Sequence, residues 1–179
     1  MSAVQDFAYA NPMQAPRLEK VIINIGVGEA GERLIKAEKV LSQLTKRKPV
    51  RTLSRVANRD WNLRVGLPIG CKVTLRGAAA KDFLKTCLEV RNNKLDPWNF
   101  DQEGNLNFGF SDHTDFPGMK YDPDIGIFGL NVTATLSRPG YRVKRRRVLP
   151  SRIPRASRIV REEGIAWVKA NFPVEVLEE

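Results

Sequence analysis

The sequence predicts an α+β fold of two layers, in which a mainly antiparallel β-sheet carries helices packed on one face and a basic extension is attached. Three observations predict it. Several segments alternate apolar and polar residues at the period of a strand, apolar stripes at helical spacing occur at intervals, and no sustained strand–helix–strand rhythm is present. The chain has 179 residues. We expect residues 1–179 to form a single domain, because neither a repeat nor a linker divides them.

The strands are predicted from alternating apolar residues. They cover residues 18–28, a short stretch near 50–56, residues 69–76, residues 106–110 and residues 126–137. In the third of these, Cys71 and Val73 point to the core, while Lys72, Thr74 and Arg76 point the other way. The opposite face of the sheet is therefore available to present polar side chains.

Three helices are predicted from apolar side chains at helical spacing. They cover residues 32–46, about 78–91 and about 158–171. We expect the last helix to begin after Ser157 as its capping residue, and we interpret Trp167 on its apolar side as a core residue. Residues 91–126 are expected to be rich in loops.

The charge of the chain is segregated along the sequence. The chain holds 30 Lys and Arg against 20 Asp and Glu, a formal net charge of +10. Residues 138–161 contain ten Lys or Arg and no acid, residues 46–76 contain nine and one acid, and residues 96–126 contain seven acids and one lysine. A surface that serves solubility alone usually intersperses the two signs. The segregation predicts a surface that binds polyanions, above all nucleic acid.

Residues 138–158 form the basic segment, which we expect to contact RNA. Pro139 and Gly140 predict a turn, and Pro150 and Pro154 stiffen the chain. Because an arginine-rich segment with little apolar content packs poorly by itself, we expect it to become ordered on RNA. The alternative interpretation is a solvated loop or a localisation-type basic tract.

Several other classes of protein are disfavoured. No run approaches the ~18 apolar residues of a membrane span, and residues 1–16 have neither the basic nor the apolar region of a secretory signal. We therefore expect a cytoplasmic protein with no membrane partner. Cys71 and Cys87 are interpreted as two small buried side chains rather than a disulfide or a metal site, and no cofactor is expected.

Two features raise the alternative of an enzyme. Gly26, Gly28 and Gly31 fit the G-x-G-x-x-G spacing of a dinucleotide-binding turn between a strand and a helix. The next strand of such a site ends in an acidic residue, whereas here it ends in Arg55 after a basic run. His113 lies between Asp112 and Asp115, with Thr114 alongside, as an isolated candidate for a Ser/His/Asp or carboxylate site, and we interpret it as structural or exposed. We therefore expect no enzyme activity.

Trp61 stands apart from the other tryptophans because it lies in a polar loop, residues 58–64, between Arg59 and Arg64. A tryptophan in such a setting can stack on a base or a sugar. The alternative is that its ring packs against its own loop.

Four segments, in this order, resemble one protein family. They are residues 19–28 (EKVIINIGVG), residues 66–77 (GLPIGCKVTLRG), residues 107–110 with 121–123 and 125–130 (NFGF, YDP and IGIFGL), and residues 137–140 (SRPG). The ordered set resembles the family of the large-subunit ribosomal protein number five, which binds 5S rRNA, over roughly residues 16–172. The YDP segment and the basic stretch after Arg138 are similar to the archaeal and eukaryotic branch.

The resemblance implies a structural role without catalysis in the cytoplasmic ribosome. Members of the family help to attach 5S rRNA in the central protuberance of the large subunit, beside a neighbouring 5S-binding ribosomal protein. They also contact large-subunit rRNA, the elbow of P-site tRNA and a small-subunit bridge protein. The acidic loop at residues 112–115 is the candidate for the protein bridge.

The matching segments, together with the basic segment, give two sets of expected contact residues. For rRNA they are Asn24, Gly26, Gly28, Thr52, Arg55, Lys72, Thr74, Arg76, Lys144, Arg145, Arg146 and Arg147. For tRNA they are Asn58, Arg59, Trp61 and Arg64. A free DNA- or RNA-binding regulator is the remaining alternative, and it is disfavoured because no predicted helix has a basic face suited to a major groove.

Overall fold

A computed structural model describes residue 9 and residues 11–177 of the chain. The strands are β1 (Arg17–Gly26), β2 (Val50–Leu53), β3 (Pro68–Leu75), β4 (Lys94–Leu95), β5 (Leu106–Phe110), β6 (Leu130–Ser137) and β7 (Glu175–Val176). The α-helices are α1 (Glu32–Thr45), α2 (Ala78–Val90) and α3 (Arg161–Asn171). Short 3₁₀ turns occur at Pro97–Asn99, Tyr141–Lys144 and Arg155–Ser157.

The main sheet has five strands, is mainly antiparallel and has the order β2-β3-β1-β6-β5. β2 and β3 are antiparallel neighbours, with Val50 opposite Lys72 and Thr52 opposite Gly70. Buried residues alternate along β1, β3 and β6, so one face of the sheet is covered and the other carries polar side chains. The predicted α+β class with a mainly antiparallel sheet is confirmed.

The chain divides into two compact units. The hairpin unit consists of Ile22–Leu75 and Phe108–Val132. Within it, α1 packs on β3, because four apolar residues of the helix repeat at helical spacing and are buried. These residues are Leu34, Ala37, Val40 and Leu41. The prediction that the whole chain is a single domain stays a prediction.

The helical unit consists of the described residues up to Val21, Arg76–Asn107 and the described residues from Thr133 onward. It contains α2, α3 and the basic segment, and β4 pairs in parallel with β7. α3 comes close to the turn before β5, since a Cβ added to Gly164 would lie 2.5 Å from the carbonyl oxygen of Gly104. Glycine is therefore required where these two backbones meet.

Three predicted boundaries differ from the observed ones by three or four residues. β6 begins at Leu130 rather than at residue 126, because the N–H groups of Ile125 and Gly126 both donate to the carbonyl of Asp122 in a turn. β2 ends at Leu53, before residue 56. α3 begins at Arg161 and not after Ser157, which lies in a 3₁₀ turn. The Glu163 carboxylate accepts the N–H of Val160 at 3.2 Å and caps the helix instead.

Candidate nucleic-acid interface

The polar sheet face of the hairpin unit is formed by Asn24, Thr52, Lys72 and Thr74. Lys72 and Thr74 are exposed at alternate positions of β3, between buried residues that point to the core. Asn24 takes the equivalent half-buried position on β1, and the pairing of Thr52 with Gly70 puts Thr52 on the same side. β1 and β2 flank β3. Four of the predicted rRNA residues therefore share one face of three neighbouring strands.

Gly70 allows these three strands to approach closely. A Cβ at this position would lie 2.8 Å from the carbonyl oxygen of Ile25 and 2.9 Å from Oγ1 of Thr52. The sequence reasoning did not single out Gly70, although a glycine inside an alternating strand is a recognised sign of a close backbone approach.

The glycines at the end of β1 differ in what the fold requires of them. Gly28 has a φ of +84°, a conformation that favours glycine, and its N–H donates to the carbonyl of Ile69 at 2.8 Å. Gly26 is exposed, its φ lies outside the left-handed region, and a Cβ there would meet nothing within 4 Å. The protein's own packing does not explain Gly26, which leaves open backbone beside the polar sheet face.

The loop between β2 and β3 continues as a hairpin. Ser54 and Gly66 pair through Gly66 N–H to the Ser54 carbonyl at 3.0 Å, and Asn58 and Leu63 exchange two backbone hydrogen bonds of 3.0 and 2.8 Å. The hairpin tip, residues 58–64, closes with Asn62 at a φ of +51°. The predicted polar loop is therefore an ordered projection.

The predicted tRNA residues all lie at the hairpin tip. Trp61 is 72% exposed, so most of its surface is open to a partner, and its stacking on a base or a sugar stays a prediction. Arg59 and Arg64 are exposed, and Asn58 is half-buried, with its side-chain oxygen accepting the N–H of Asp60 at 2.9 Å. The tip presents one aromatic ring and two cations to solvent.

Arginines at the base of the hairpin differ in their availability. Arg51 donates to both carboxylate oxygens of Glu38 on α1, at 2.5 and 3.1 Å, and this hydrogen bonding raises the pKa of Arg51. Arg55, a predicted rRNA residue, is exposed just beyond β2. Arg51 and Arg55 therefore carry the same charge but have different roles. Arg51 holds α1 to the edge strand of the sheet, whereas Arg55 faces solvent.

The basic segment, in the helical unit, has a defined path. The 3₁₀ turn Tyr141–Lys144 is held because the Tyr141 hydroxyl donates to the carbonyl of Ser157 at 2.9 Å and the Ser151 N–H donates to the carbonyl of Val143 at 3.1 Å. Nε of Arg146 donates to the carbonyl of Leu149 at 2.7 Å. The segment therefore makes hydrogen bonds within its own chain, and the expectation that it becomes ordered on RNA stays a prediction.

Two of the predicted rRNA arginines meet one acid. Arg145 forms a two-point ion pair with Glu19 of β1, and Nη1 of Arg76 lies 3.5 Å from the same carboxylate. The Arg145 hydrogen bond lowers the pKa of Glu19, whose side chain is only 12% exposed, and raises that of Arg145. Arg145 is therefore engaged by Glu19 although its side chain is still 49% exposed, and Lys144, Arg146 and Arg147 are exposed without that ion pair.

A second ion pair joins the first residue of the basic segment to α3. Nη2 of Arg138 donates to both carboxylate oxygens of Glu163, at 2.6 and 2.7 Å, and the side chains are 12% and 10% exposed. Nη1 of Arg138 lies 3.4 Å from the carbonyl of Ser157. Because Ser157 also accepts from Tyr141, the two ends of the basic segment are tied at one point.

The enzyme alternatives fail on topology and burial. A dinucleotide fold requires β2 to lie parallel beside β1, whereas β2 is an edge strand antiparallel to β3. His113 is 2% exposed, and its Nδ1 accepts the N–H of Phe128 at 3.3 Å, so it is structural, one of the two options expected for it. Among the described residues, no three His, Cys, Asp or Glu side chains are placed to hold a metal ion.

Both cysteines are free and buried, as predicted. Burial raises the pKa of Cys71 to about 11 and raises that of Cys87. Across residues 9 and 11–177, no helix has the length and apolar character needed to span a membrane.

The fold and the charge together define an α+β protein that presents exposed cations, and neither catalytic candidate raised by the sequence has the arrangement that its chemistry requires. Residues 11–64 match the family described as Ribosomal protein L5, and residues 68–167 match the family that describes the C-terminus of the same ribosomal protein. The chain belongs to the ribosomal L5 family. It is therefore a ribosomal protein with a structural rather than an enzymatic role, and its location in the cytoplasmic ribosome is confirmed.

Archaeal relatives match along almost the whole chain. A large ribosomal subunit protein uL5 from Methanosphaera stadtmanae is 48% identical over 93% of this chain and 99% of its own. The protein of the same name from Thermoplasma volcanium is 49% identical over 93% and 99%. That from Sulfurisphaera tokodaii is 49% identical over 94% and 96%. The resemblance found from the four motifs is thus confirmed.

Proposed function

We propose that this protein is a structural component of the large ribosomal subunit that binds 5S rRNA and helps to attach it in the central protuberance. The observation that carries the proposal is the polar sheet face, where Lys72 and Thr74 project from a rigid strand next to the open backbone of Gly26. A lysine supplies the charge for a phosphate, a threonine supplies a hydrogen bond, and a bare glycine allows a sugar–phosphate backbone to come close.

The basic segment is proposed to contact large-subunit rRNA. Lys144, Arg146 and Arg147 are exposed on a backbone that the protein's own hydrogen bonds hold in place. Because phosphate contacts dominate such binding, this cluster of exposed cations supplies affinity for rRNA.

The hairpin tip is proposed to contact the elbow of P-site tRNA through Trp61, with Arg59 and Arg64 on the phosphates. A projecting and exposed indole suits stacking on an unpaired base or a sugar. The acidic loop at residues 112–115 is proposed to meet a small-subunit bridge protein, and the neighbouring 5S-binding ribosomal protein is a further expected partner.

The first experiment measures binding to purified 5S rRNA, to a control RNA of equal length and to duplex DNA, across a salt series. We expect 5S rRNA to be preferred at every salt concentration. Equal affinity for the three nucleic acids would contradict the proposal and favour a general nucleic-acid binder.

A second experiment separates the tRNA contact from the 5S contact. Trp61→Ala is expected to leave 5S binding unchanged, since Trp61 does not lie on the polar sheet face, and to weaken P-site tRNA retention on reassembled ribosomes. Asp60→Ala, at the adjacent position of the tip, is the matched control. Loss of 5S binding with normal tRNA retention in Trp61→Ala would reverse the assignment.

A further inference from the structure

A groove of about 350 Å³ is lined by residues of the basic segment together with Met13 and Gln14. Its walls are mainly apolar side chains, and these lie in turns and at prolines of the chain. They include Pro139, Tyr141, Val143, Ile153, Pro154 and Ala156. A volume near the lower end of the ~300–1,000 Å³ found for ligand pockets suits one flat ring system. An apolar groove inside the most basic part of the chain is the feature that the predicted phosphate contacts leave unexplained.

A smaller and more enclosed pocket of about 70 Å³ adjoins the groove and shares Tyr141, Arg152 and Ile153 with it. Its other charged lining residues are Lys144, Arg158 and Glu103. Nη1 of Arg158 lies 3.7 Å from Glu103, a long and exposed pair that neutralises only weakly. Three cations against one acid leave the pocket positive and large enough for one small anionic group.

We propose that the groove holds one unstacked nucleobase of large-subunit rRNA and that the small pocket holds an adjacent phosphate of the same strand. This inference rests on the proposed ribosomal function and deepens it, because it assigns part of the basic segment to the recognition of a single splayed nucleotide. Proteins read RNA mainly where bases are unstacked and can lie against an aromatic ring. Tyr141 is the aromatic ring of this groove, and its hydroxyl is fixed by the Ser157 carbonyl.

Charge complementarity selects RNA as the occupant. A nucleotide joins a flat ring to an anion covalently, which matches an apolar groove that adjoins a basic pocket and contains one aromatic ring, Tyr141. Arg142, Arg146 and Arg147 are exposed on the same segment and attract the flanking phosphates. The walls are already in place because the Ser151 N–H and the Val143 carbonyl form a hydrogen bond of 3.1 Å across the segment.

The test fills the groove without changing the charge. Ala156→Trp places an indole where the base would lie, and we expect its affinity for purified large-subunit rRNA, 5S and large rRNA together, to fall about tenfold or more. The slope of log Kd against log salt should stay unchanged, because no phosphate contact is lost. Ala156→Ser is the matched control of small size and should bind as the wild type does.

The phosphate pocket is tested by a matched pair of arginines. Arg152→Ala removes a cation that lines both cavities and should weaken binding and flatten the salt slope by about one unit. Arg155→Ala removes the same charge outside the lining of either cavity and should weaken binding less. Equal effects of the two substitutions would overturn the assignment of the small pocket to a phosphate.

Thermal unfolding checks that each variant is folded. If Ala156→Trp is unstable, Val143→Trp replaces it, because Val143 also lines the groove. Unchanged rRNA affinity of a folded groove-filling variant would overturn the inference while leaving the ribosomal proposal intact. Failure of the wild-type protein to bind rRNA would overturn both, so the two failures are distinguishable.

Discussion

Glu19 and Arg145 form a two-point ion pair between residues 126 positions apart in the chain. Nη1 and Nη2 of Arg145 donate to the two carboxylate oxygens, and Arg76 lies 3.5 Å from the same group. The pair holds the 3₁₀ turn of the basic segment against the first half of β1. One acid thereby fixes the position of the cations that surround it.

The Glu19 ion pair makes stability depend on pH. Hydrogen bonding from Arg145, helped by Arg76 and Lys20, lowers the pKa of Glu19 below its ordinary value of 4.5. A depressed pKa contributes stability that is present above the ordinary value and is lost as the pH falls through the folded one. We expect Glu19→Gln to lower the free energy of unfolding by about 1–2 kcal/mol at neutral pH, and by progressively less in acid.

Urea denaturation of wild type and Glu19→Gln over about pH 7 to pH 3 measures this difference. Glu29→Gln is the control, because its carboxylate makes only an exposed 3.6 Å pair with Arg33. A difference between wild type and Glu19→Gln that stays constant down to the lowest pH would rule out the ionised pair as its source.

The Arg138–Glu163 pair is nearly buried, so removing one partner is expected to be costly. Glu163→Met leaves the guanidinium without its carboxylate and should lower the free energy of unfolding by about 3 kcal/mol. It should also expose the basic segment to trypsin, because Glu163 no longer holds Arg138 beside Ser157. Chemical denaturation and limited proteolysis measure the two effects.

The double variant Arg138→Met/Glu163→Met supplies the control for this pair. Replacing both charges by apolar side chains of similar size should restore part of the lost stability. The loss of unfolding free energy in the double variant is compared with the sum of the losses in the two single variants. A double-variant loss that is not smaller than that sum would mean that Glu163 acts mainly as the helix cap of Val160.

Gly26 and Gly70 should separate packing from recognition. Gly70→Ala brings a Cβ within 3 Å of Ile25 and Thr52 and is expected to lower the free energy of unfolding by about 1–3 kcal/mol. Gly26→Ala meets open space and should leave stability within about 0.5 kcal/mol of wild type while weakening 5S rRNA binding. Unchanged RNA affinity of Gly26→Ala would show that no nucleic-acid backbone approaches there.

Lys72 and Arg51 test the polar sheet face by its salt dependence. Lys72→Ala should weaken 5S binding and flatten the slope of log Kd against log salt by about one unit, because one phosphate contact is lost. Arg51→Ala removes the same charge from the neighbouring strand, but that guanidinium is bound to Glu38. We expect the salt slope of Arg51→Ala to stay close to that of wild type. Equal slopes for Lys72→Ala and Arg51→Ala would show that RNA does not bind to the polar sheet face.

The parts of the fold that were predictable are those with a strong local period. The alternation around Cys71 and the apolar spacing of α1 and α2 each predicted an element to within about two residues of its observed bounds. The parallel pair β4 and β7 has only two residues in each strand, which is too short for a period to show. The predicted start of β6 was wrong because the alternation of apolar residues extends back to Gly126. The backbone there forms a hydrogen-bonded turn, so the strand begins later than the hydropathy pattern indicates.

The sequence predicted which cations belong to the candidate site. It did not predict which of them face solvent and which are bound to other residues of the protein. Lys72 and Arg145 look alike in sequence, yet one faces solvent and the other is bound to Glu19, which lies far away in the chain. Arg152 was counted in the basic run without a site of its own, and only the fold places it between the groove and the small pocket. Long-range pairing decides which charges stay available, and no local pattern reports it.

The tie between Arg138 and Glu163 bears on how fast the protein can recognise its target. A free basic loop would lose its conformational entropy on meeting rRNA, which lowers affinity. Here the Arg138–Glu163 pair closes the loop at its base, so we expect each diffusional encounter with ribosomal RNA to meet a restricted set of charge arrangements. During subunit assembly, capture should then be limited by collision and electrostatic steering rather than by a search through loop conformations.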